Sequence, residues 1–156
     1  MPMKLSRLLS TGFGAGYCPW APGTAGAILA AAIWCAYAYS IDSYAAVLLI
    51  TIVLTAVFTI LSIPAIDSVE REWGHDASRI VIDEMVGTWM ALIAVPPSRE
   101  WYWPLAALLL FRLFDIWKPL GCRWIDRNIS GSWGVMLDDI LAGIYAAMIL
   151  TLFTLL

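Results

Sequence analysis

Charge is scarce in this chain of 156 residues: 13% are Asp, Glu, Lys or Arg, against 62% hydrophobic. That balance, with a mean hydropathy of +0.81, lies far from the soluble average and predicts a small integral membrane protein. No basic run is present, which argues against a nucleic-acid partner. Cysteine is sparse too. Cys18, Cys35 and Cys122 are odd in number and share no Cys-x-x-Cys spacing, so they form neither a disulfide framework nor a zinc signature. The chain also lacks the Cys-x-x-x-x-x-Arg spacing of a thiol phosphatase loop, and no Gly-Lys-Ser/Thr completes a Walker loop. Period-two alternation, repeats and low-complexity tracts are missing, so the whole reads as helical. The expected fold is all-α: a compact bundle of about five hydrophobic helices in a single membrane-embedded domain, residues 1–156.

Residues 1–25 carry Lys4 and Arg7, then enter a Gly/Pro-rich tract that separates these charges from the first apolar run and argues against a signal peptide. The first apolar segment covers about 26–41. The second, 44–66, holds 23 residues without a charge and is the strongest membrane signal. A polar stretch, 67–79, contains the only histidine, His75, in a Gly74-His75-Asp76 turn. A solvated loop position is its simpler reading and a proton shuttle the other. The third segment runs from Ile80 to Pro96, the fourth over 101–117, and the fifth over 140–156, with a polar loop at 118–139. Pro119 biases Lys118 away from the α region and predicts the end of the fourth helix.

Five segments of alternating direction put the N-terminus, the 67–79 stretch and the 118–139 loop on one face. Lys4, Arg7, Arg71, Arg79, Lys118, Arg123 and Arg127 all lie there, and only Arg99 falls on the other side. The positive-inside rule makes the shared face cytoplasmic. The same alternation gathers the acids: Asp83 and Glu84 open the third segment, Asp115 closes the fourth, and Asp138 and Asp139 open the fifth.

Carboxylates crowded at one level repel each other, and a hard divalent cation such as Mg2+ relieves that repulsion. Arg112, one helical turn from Asp115, and Lys118 are the cations that suit a phosphate ester beside such a metal. Together they point to metal-assisted phosphoryl chemistry. Each part has a plainer reading. The acid pairs could cap their helices, and Arg112 with Asp115 could be a self-neutralising pair. Thr24, in Pro22-Gly-Thr-Ala-Gly26, reads equally as an N-cap or as part of an anion-binding nest. Gly87 and Gly143, each four residues past an acid, read as small packing residues that could let helices approach beneath the site. The rival from another class is an ion- or proton-coupled transporter using the same carboxylates. Relay acids should be spread through the membrane, whereas these share one level.

Five blocks in order, Pro22-Gly-Thr-Ala-Gly26, Ile80-Val-Ile-Asp-Glu-Met-Val-Gly87, Phe111-Arg-Leu-Phe-Asp-Ile-Trp-Lys-Pro119, Asp126-Arg-Asn128 and Gly134-Val-Met-Leu-Asp-Asp-Ile-Leu-Ala-Gly143, resemble the phosphatidylglycerophosphatase A family. The resemblance implies a Mg2+-dependent hydrolase that converts phosphatidylglycerophosphate to phosphatidylglycerol and inorganic phosphate. It places the protein as a multi-pass inner-membrane enzyme whose site faces the cytoplasm. Carried over by block, Asp83, Glu84, Asp115 and Asp139 become expected catalytic groups and, with Asp138, the expected metal ligands. Thr24, Arg112 and Lys118 become expected phosphate contacts, with Arg123 and Arg127 drawing in the anionic headgroup. The chain departs from the family at Ala27, where a serine is usual. The expected partners are the lipid substrate and the bilayer, and a homo-oligomer is left open.

Overall fold

The computed structural model describes residues 1–75, 77–119 and 121–155, and among these there are helices and no strand. The helices are α1 (Met3–Ser10), α2 (Pro22–Ala38), α3 (Tyr44–Trp73), α4 (Ile82–Leu92), α5 (Tyr102–Trp117), α6 (Gly121–Asn128) and α7 (Ser132–Leu155), with one 3-10 turn at Ala15–Tyr17. The five apolar segments correspond to α2, α3, α4, α5 and α7. The amphipathic α1 and α6 are additions from stretches that read as polar.

Two boundaries differ for clear reasons. The second segment does not stop where its first charge appears. Asp67 to Trp73 continue α3 with one face still buried, Val69 facing inward while Asp67, Arg71 and Glu72 are exposed, until Gly74 takes a positive φ of 89° and ends it. Pro64 sits inside this helix without ending it. The polar loop before the fifth segment contains α6 and the first two turns of α7, so Asp138 and Asp139 lie inside α7 and cap nothing. The end of α5 agrees with the sequence reading: Trp117 is its last residue and Lys118 follows at a φ of 48°. Of the Gly74-His75-Asp76 turn, Asp76 lies outside the described residues.

α3, with 30 residues, and α7, with 24, are long and apolar enough to cross a membrane. α2, α4 and α5 have 17, 11 and 16 residues, short of the roughly 20 that a span requires. Only 22% of the most apolar stretch of α3 is buried, so most of it faces outward. Leu49, Ile52, Val53, Val57, Ile60 and Leu61 form an outward apolar face that fits lipid.

α4 is the centre of the bundle and packs most extensively on α7 and α2. Nearly every residue of α4 is buried, including Ile82, Met85, Val86, Trp89 and Leu92. The Trp89 indole donates to the Ala30 carbonyl at 3.0 Å, and Trp34 donates to Thr51 Oγ1 at 3.1 Å, so both large rings are buried with their N–H groups satisfied. α4 and α7 cross at two glycines. A β-carbon on Gly87 would strike Phe111 and the Asp139 carbonyl, and one on Gly143 would strike the Gly87 carbonyl and Met90. The close approach that the sequence left open is therefore present.

The two ends of the bundle sort as the alternation requires. At one end Arg7 pairs with Glu72 at 2.5 Å, and the Val81 amide donates to the Ser10 carbonyl at 2.9 Å. At the other, Arg99 donates to the carbonyls of Ala38 and Ile41, and the Tyr44 hydroxyl to that of Val95. Every basic residue except Arg99 belongs to the first end or to the helices that close it.

Candidate active site

Helix geometry alone explains how α4 presents its acids. Val81 and Ile82 are anchored in the core, and Asp83 and Glu84 follow in the first turn, where the helix dipole favours negative charge. In α7, Asp138 and Asp139 are both buried; Asp139, one turn before Gly143, is on the side pressed against α4, and Asp138 turns toward Lys118. The crossing at Gly87 and Gly143 thus fixes the separation of the two acidic pairs. One carboxylate oxygen from each of Asp83, Glu84 and Asp139 lies within 4.8 Å of the others.

These groups line a cavity of about 110 Å³ together with Asp115, Lys118, Asp126, Asp138 and His75. The volume suffices for a cation with part of its water shell, or for a phosphate group. The two remaining expected ligands face the same space but are engaged by cations. Asp115 accepts from Arg112, and Asp138 accepts from Lys118 Nζ at 2.6 Å. Lys118 also bonds Asp126 at 2.7 Å. Burial works against the Lys118 ammonium, but its bonds to Asp126 and Asp138 outweigh burial and hold its pKa above the ordinary lysine value. Arg112 Nη1 stands 3.9 Å from Glu84 Oε1, so the guanidinium bridges α4 and α5 across the cavity edge.

The donor set is all oxygen, which suits a hard cation such as Mg2+ over zinc or copper. Glu84 Oε2 and Asp139 Oδ2 are buried and accept no hydrogen bond, an expensive arrangement unless a cation or a proton satisfies them. The Glu84 carboxyl is pushed well above the usual carboxylate range, first by burial and then by the neighbouring Asp83 and Asp115 charges. The residues therefore fit a divalent cation held by Asp83, Glu84 and Asp139.

The remaining expected residues fall at different distances from this centre. Thr24 is the third residue of α2; the N-cap is Ala21, with Pro22 opening the helix, so the capping reading of Thr24 is corrected. The Pro22–Gly26 block still reaches the site, because a β-carbon on Gly23 would collide with Glu84 Oε1 and come within 3.3 Å of Arg112 Nη1. Arg123, on α6, is exposed and donates to the Trp117 carbonyl at 3.4 Å. Arg127 is exposed and does not line the cavity. Three site residues were given no such place by sequence reasoning. Asp126 was quoted only within a block, Gly23 carries no functional group, and His75 read as a solvated loop residue with a proton shuttle as the other reading. His75 does line the cavity, with Nδ1 2.6 Å from Glu70 Oε1.

An all-helical bundle with outward apolar faces and a buried oxygen cluster, flanked by an arginine and a lysine, fits the class of metal-assisted hydrolases of phosphate esters. The chain belongs to the phosphatidylglycerophosphatase A family, whose model matches residues 8–154, and it is a phosphatase. Phosphatidylglycerophosphatase A of Escherichia coli is 37% identical over 95% of this chain and 84% of its own. That of Haemophilus influenzae is 39% identical over 92% and 85%. A Bacteroides thetaiotaomicron protein, provisionally named a phosphatidylinositol-3-phosphatase, is 49% identical over 96% and 93%. No solved structure matches the chain.

Proposed function

We propose that residues 1–156 form one phosphatase domain that removes the terminal phosphate of phosphatidylglycerophosphate, releasing phosphatidylglycerol and inorganic phosphate. The observation that carries this reading is the oxygen cluster of Asp83, Glu84 and Asp139, which opens into the same cavity as Lys118. Mg2+ held there would supply positive charge that polarises the phosphoryl oxygens. The phosphate enters beside Arg112 and Lys118, which exchange part of their bonding to Asp115 and Asp138 for its oxygens. A cavity carboxylate released in that exchange takes the proton of the attacking water. Arg123, and further out Arg127, attract the anionic headgroup.

The site lies at the end of the bundle that gathers Lys4, Arg7, Arg71 and Arg79, and by the positive-inside rule this supports a site on the cytoplasmic side of an inner membrane. The same clustering at one end disfavours a cation transporter, whose carboxylates would be distributed along a path. The name of the Bacteroides relative supports a second substrate, a phosphoinositide, with the same monoester chemistry. The test is inorganic phosphate release from each lipid in mixed micelles, with Mg2+ or with EDTA. Mg2+-dependent release from phosphatidylglycerophosphate is the expected result; release from neither lipid refutes the reading, and release from the phosphoinositide alone reassigns the substrate.

A further inference from the structure

Beside the acidic cavity lies a hollow of different character. It measures about 630 Å³ and sits between α5 and α7, walled by Phe114, Trp117, Tyr145, Met148 and Ile149. Lys118 lines both this hollow and the cavity, and Arg123 stands at its edge. A second apolar hollow of about 530 Å³ lies further along the same helix pair, between Leu110 of α5 and Leu150 of α7 among others. One continuous pair of helices therefore offers a cation-rimmed opening at the chemistry and apolar space leading away from it.

We infer that this α5–α7 groove seats an acyl chain of the lipid whose phosphate is being hydrolysed. The inference rests on the lipid-phosphatase reading and deepens it. Charge complementarity selects the occupant: a molecule in the groove with its head at Lys118 and Arg123 must be apolar at one end and anionic at the other. The shared lysine supplies continuity, because the headgroup that leaves the groove at Lys118 is already at the cavity. The terminal phosphate then lies among the carboxylates and Arg112, and the phosphodiester nearer the diacylglycerol lies at Arg123. Lipid tails are as apolar as the groove wall, so the groove adds little affinity. It fixes where along the membrane normal the monoester is presented.

Met148 is exposed in the groove, so tryptophan there fills space without entering the core. Met148→Trp is compared with Ile60→Trp, on the outward face of α3 away from the groove. Both are assayed in mixed micelles with long-chain phosphatidylglycerophosphate and in solution with its deacylated headgroup. The expected result for Met148→Trp is about a tenfold loss of kcat/KM on the diacyl lipid, about 1.4 kcal/mol, and a shift of preference toward shorter chains. Its kcat/KM on the headgroup should move less than twofold, and Ile60→Trp should change neither. An equal loss on both substrates, or no loss on either, overturns the groove assignment while leaving the phosphatase reading intact. A wild-type protein that releases phosphate from neither substrate fails the phosphatase reading itself, and the groove assignment falls with it.

Discussion

Replacing Gly23 with alanine tests the site while sparing the scaffold. The added methyl group meets Glu84 Oε1, the Glu84 carboxyl carbon at 3.0 Å and Arg112 Nη1 at 3.3 Å. All three belong to the ends of side chains, so the fold can yield. To restore van der Waals distance the carboxyl has to retreat by about 1 Å. Mg2+ holds its oxygens at about 2.0–2.1 Å and tolerates little distortion, so a retreat of that size removes Glu84 from the donor set. A displacement of about 1 Å at a reacting centre typically costs on the order of 100-fold in rate. Stability should move the other way: alanine in a helix is favoured over glycine by roughly 0.5–1 kcal/mol in the interior, and by less in a first turn. Gly23→Ala should therefore retain or slightly raise its Tm in detergent, while phosphate release falls about 100-fold and half-activation shifts to higher Mg2+. Titration of phosphate release against Mg2+, beside thermal unfolding of the same preparations, reads both quantities. A variant with wild-type Mg2+ dependence and rate would show that Glu84 is not a working ligand; a variant that unfolds would show that the Gly23 contact is structural.

Asp115→Asn removes the charge that Arg112 bonds while keeping the shape, and should abolish phosphate release without loss of expression; retained activity would remove Asp115 from the machinery. Gly87→Ala, whose β-carbon meets the Asp139 carbonyl at 2.7 Å, should cost about 1–3 kcal/mol as an overpacked contact and nearly all activity. Gly143→Ala, one turn deeper, should cost similar stability and less activity, and equal activity losses would argue against Asp139 as the sensitive element. The raised Glu84 carboxyl sets a sign for pH: without metal the folded state holds a proton that the unfolded chain releases near about pH 4.3. Metal-free stability should then fall as pH rises from that point through the raised folded value, while Mg2+, which binds the ionised form, should reverse the slope. Tm against pH in EDTA and in Mg2+ checks this, and parallel slopes would contradict it.

The helices were legible where apolar runs were long, and their ends where a proline or a change of composition marked them, as at Trp117–Lys118. α3 exceeds its apolar run because its last turns stay packed, with Val69 buried and Glu72 paired to Arg7 of α1, while Asp67 and Arg71 face outward; hydropathy averages the two faces and misses the continuing backbone. α6 is eight residues long, too short for periodicity to separate it from a polar loop. The gathering of the acids followed from counting crossings, and the acids do line one cavity, although only α3 and α7 are long enough to span. The grouping within the site was legible only in part. The spacing of Arg112 and Asp115 already offered their ion pair, which forms, but only packing shows that Asp138 turns to Lys118 while Asp83, Glu84 and Asp139 face one another. Gly23 was invisible for the opposite reason: its contribution is the side chain it lacks.

The division between those two sets of acids has an energetic consequence. Each buried, unpaired carboxylate costs several kcal/mol to desolvate, and Asp115 and Asp138 offset that cost with Arg112 and Lys118. Glu84 and Asp139 keep buried oxygens that accept no hydrogen bond, while Gly87 and Gly143 hold α4 and α7 too close for the two acids to separate. The packing energy of the α4–α7 crossing therefore maintains an electrostatic repulsion that a proton or a divalent cation relieves. A cation relieves it more fully at neutral pH, because one ion neutralises several oxygens that single protons would have to titrate one by one. A phosphate would then meet a centre whose own carboxylates the cation had neutralised, with Arg112 and Lys118 already bonded to Asp115 and Asp138 at its edge.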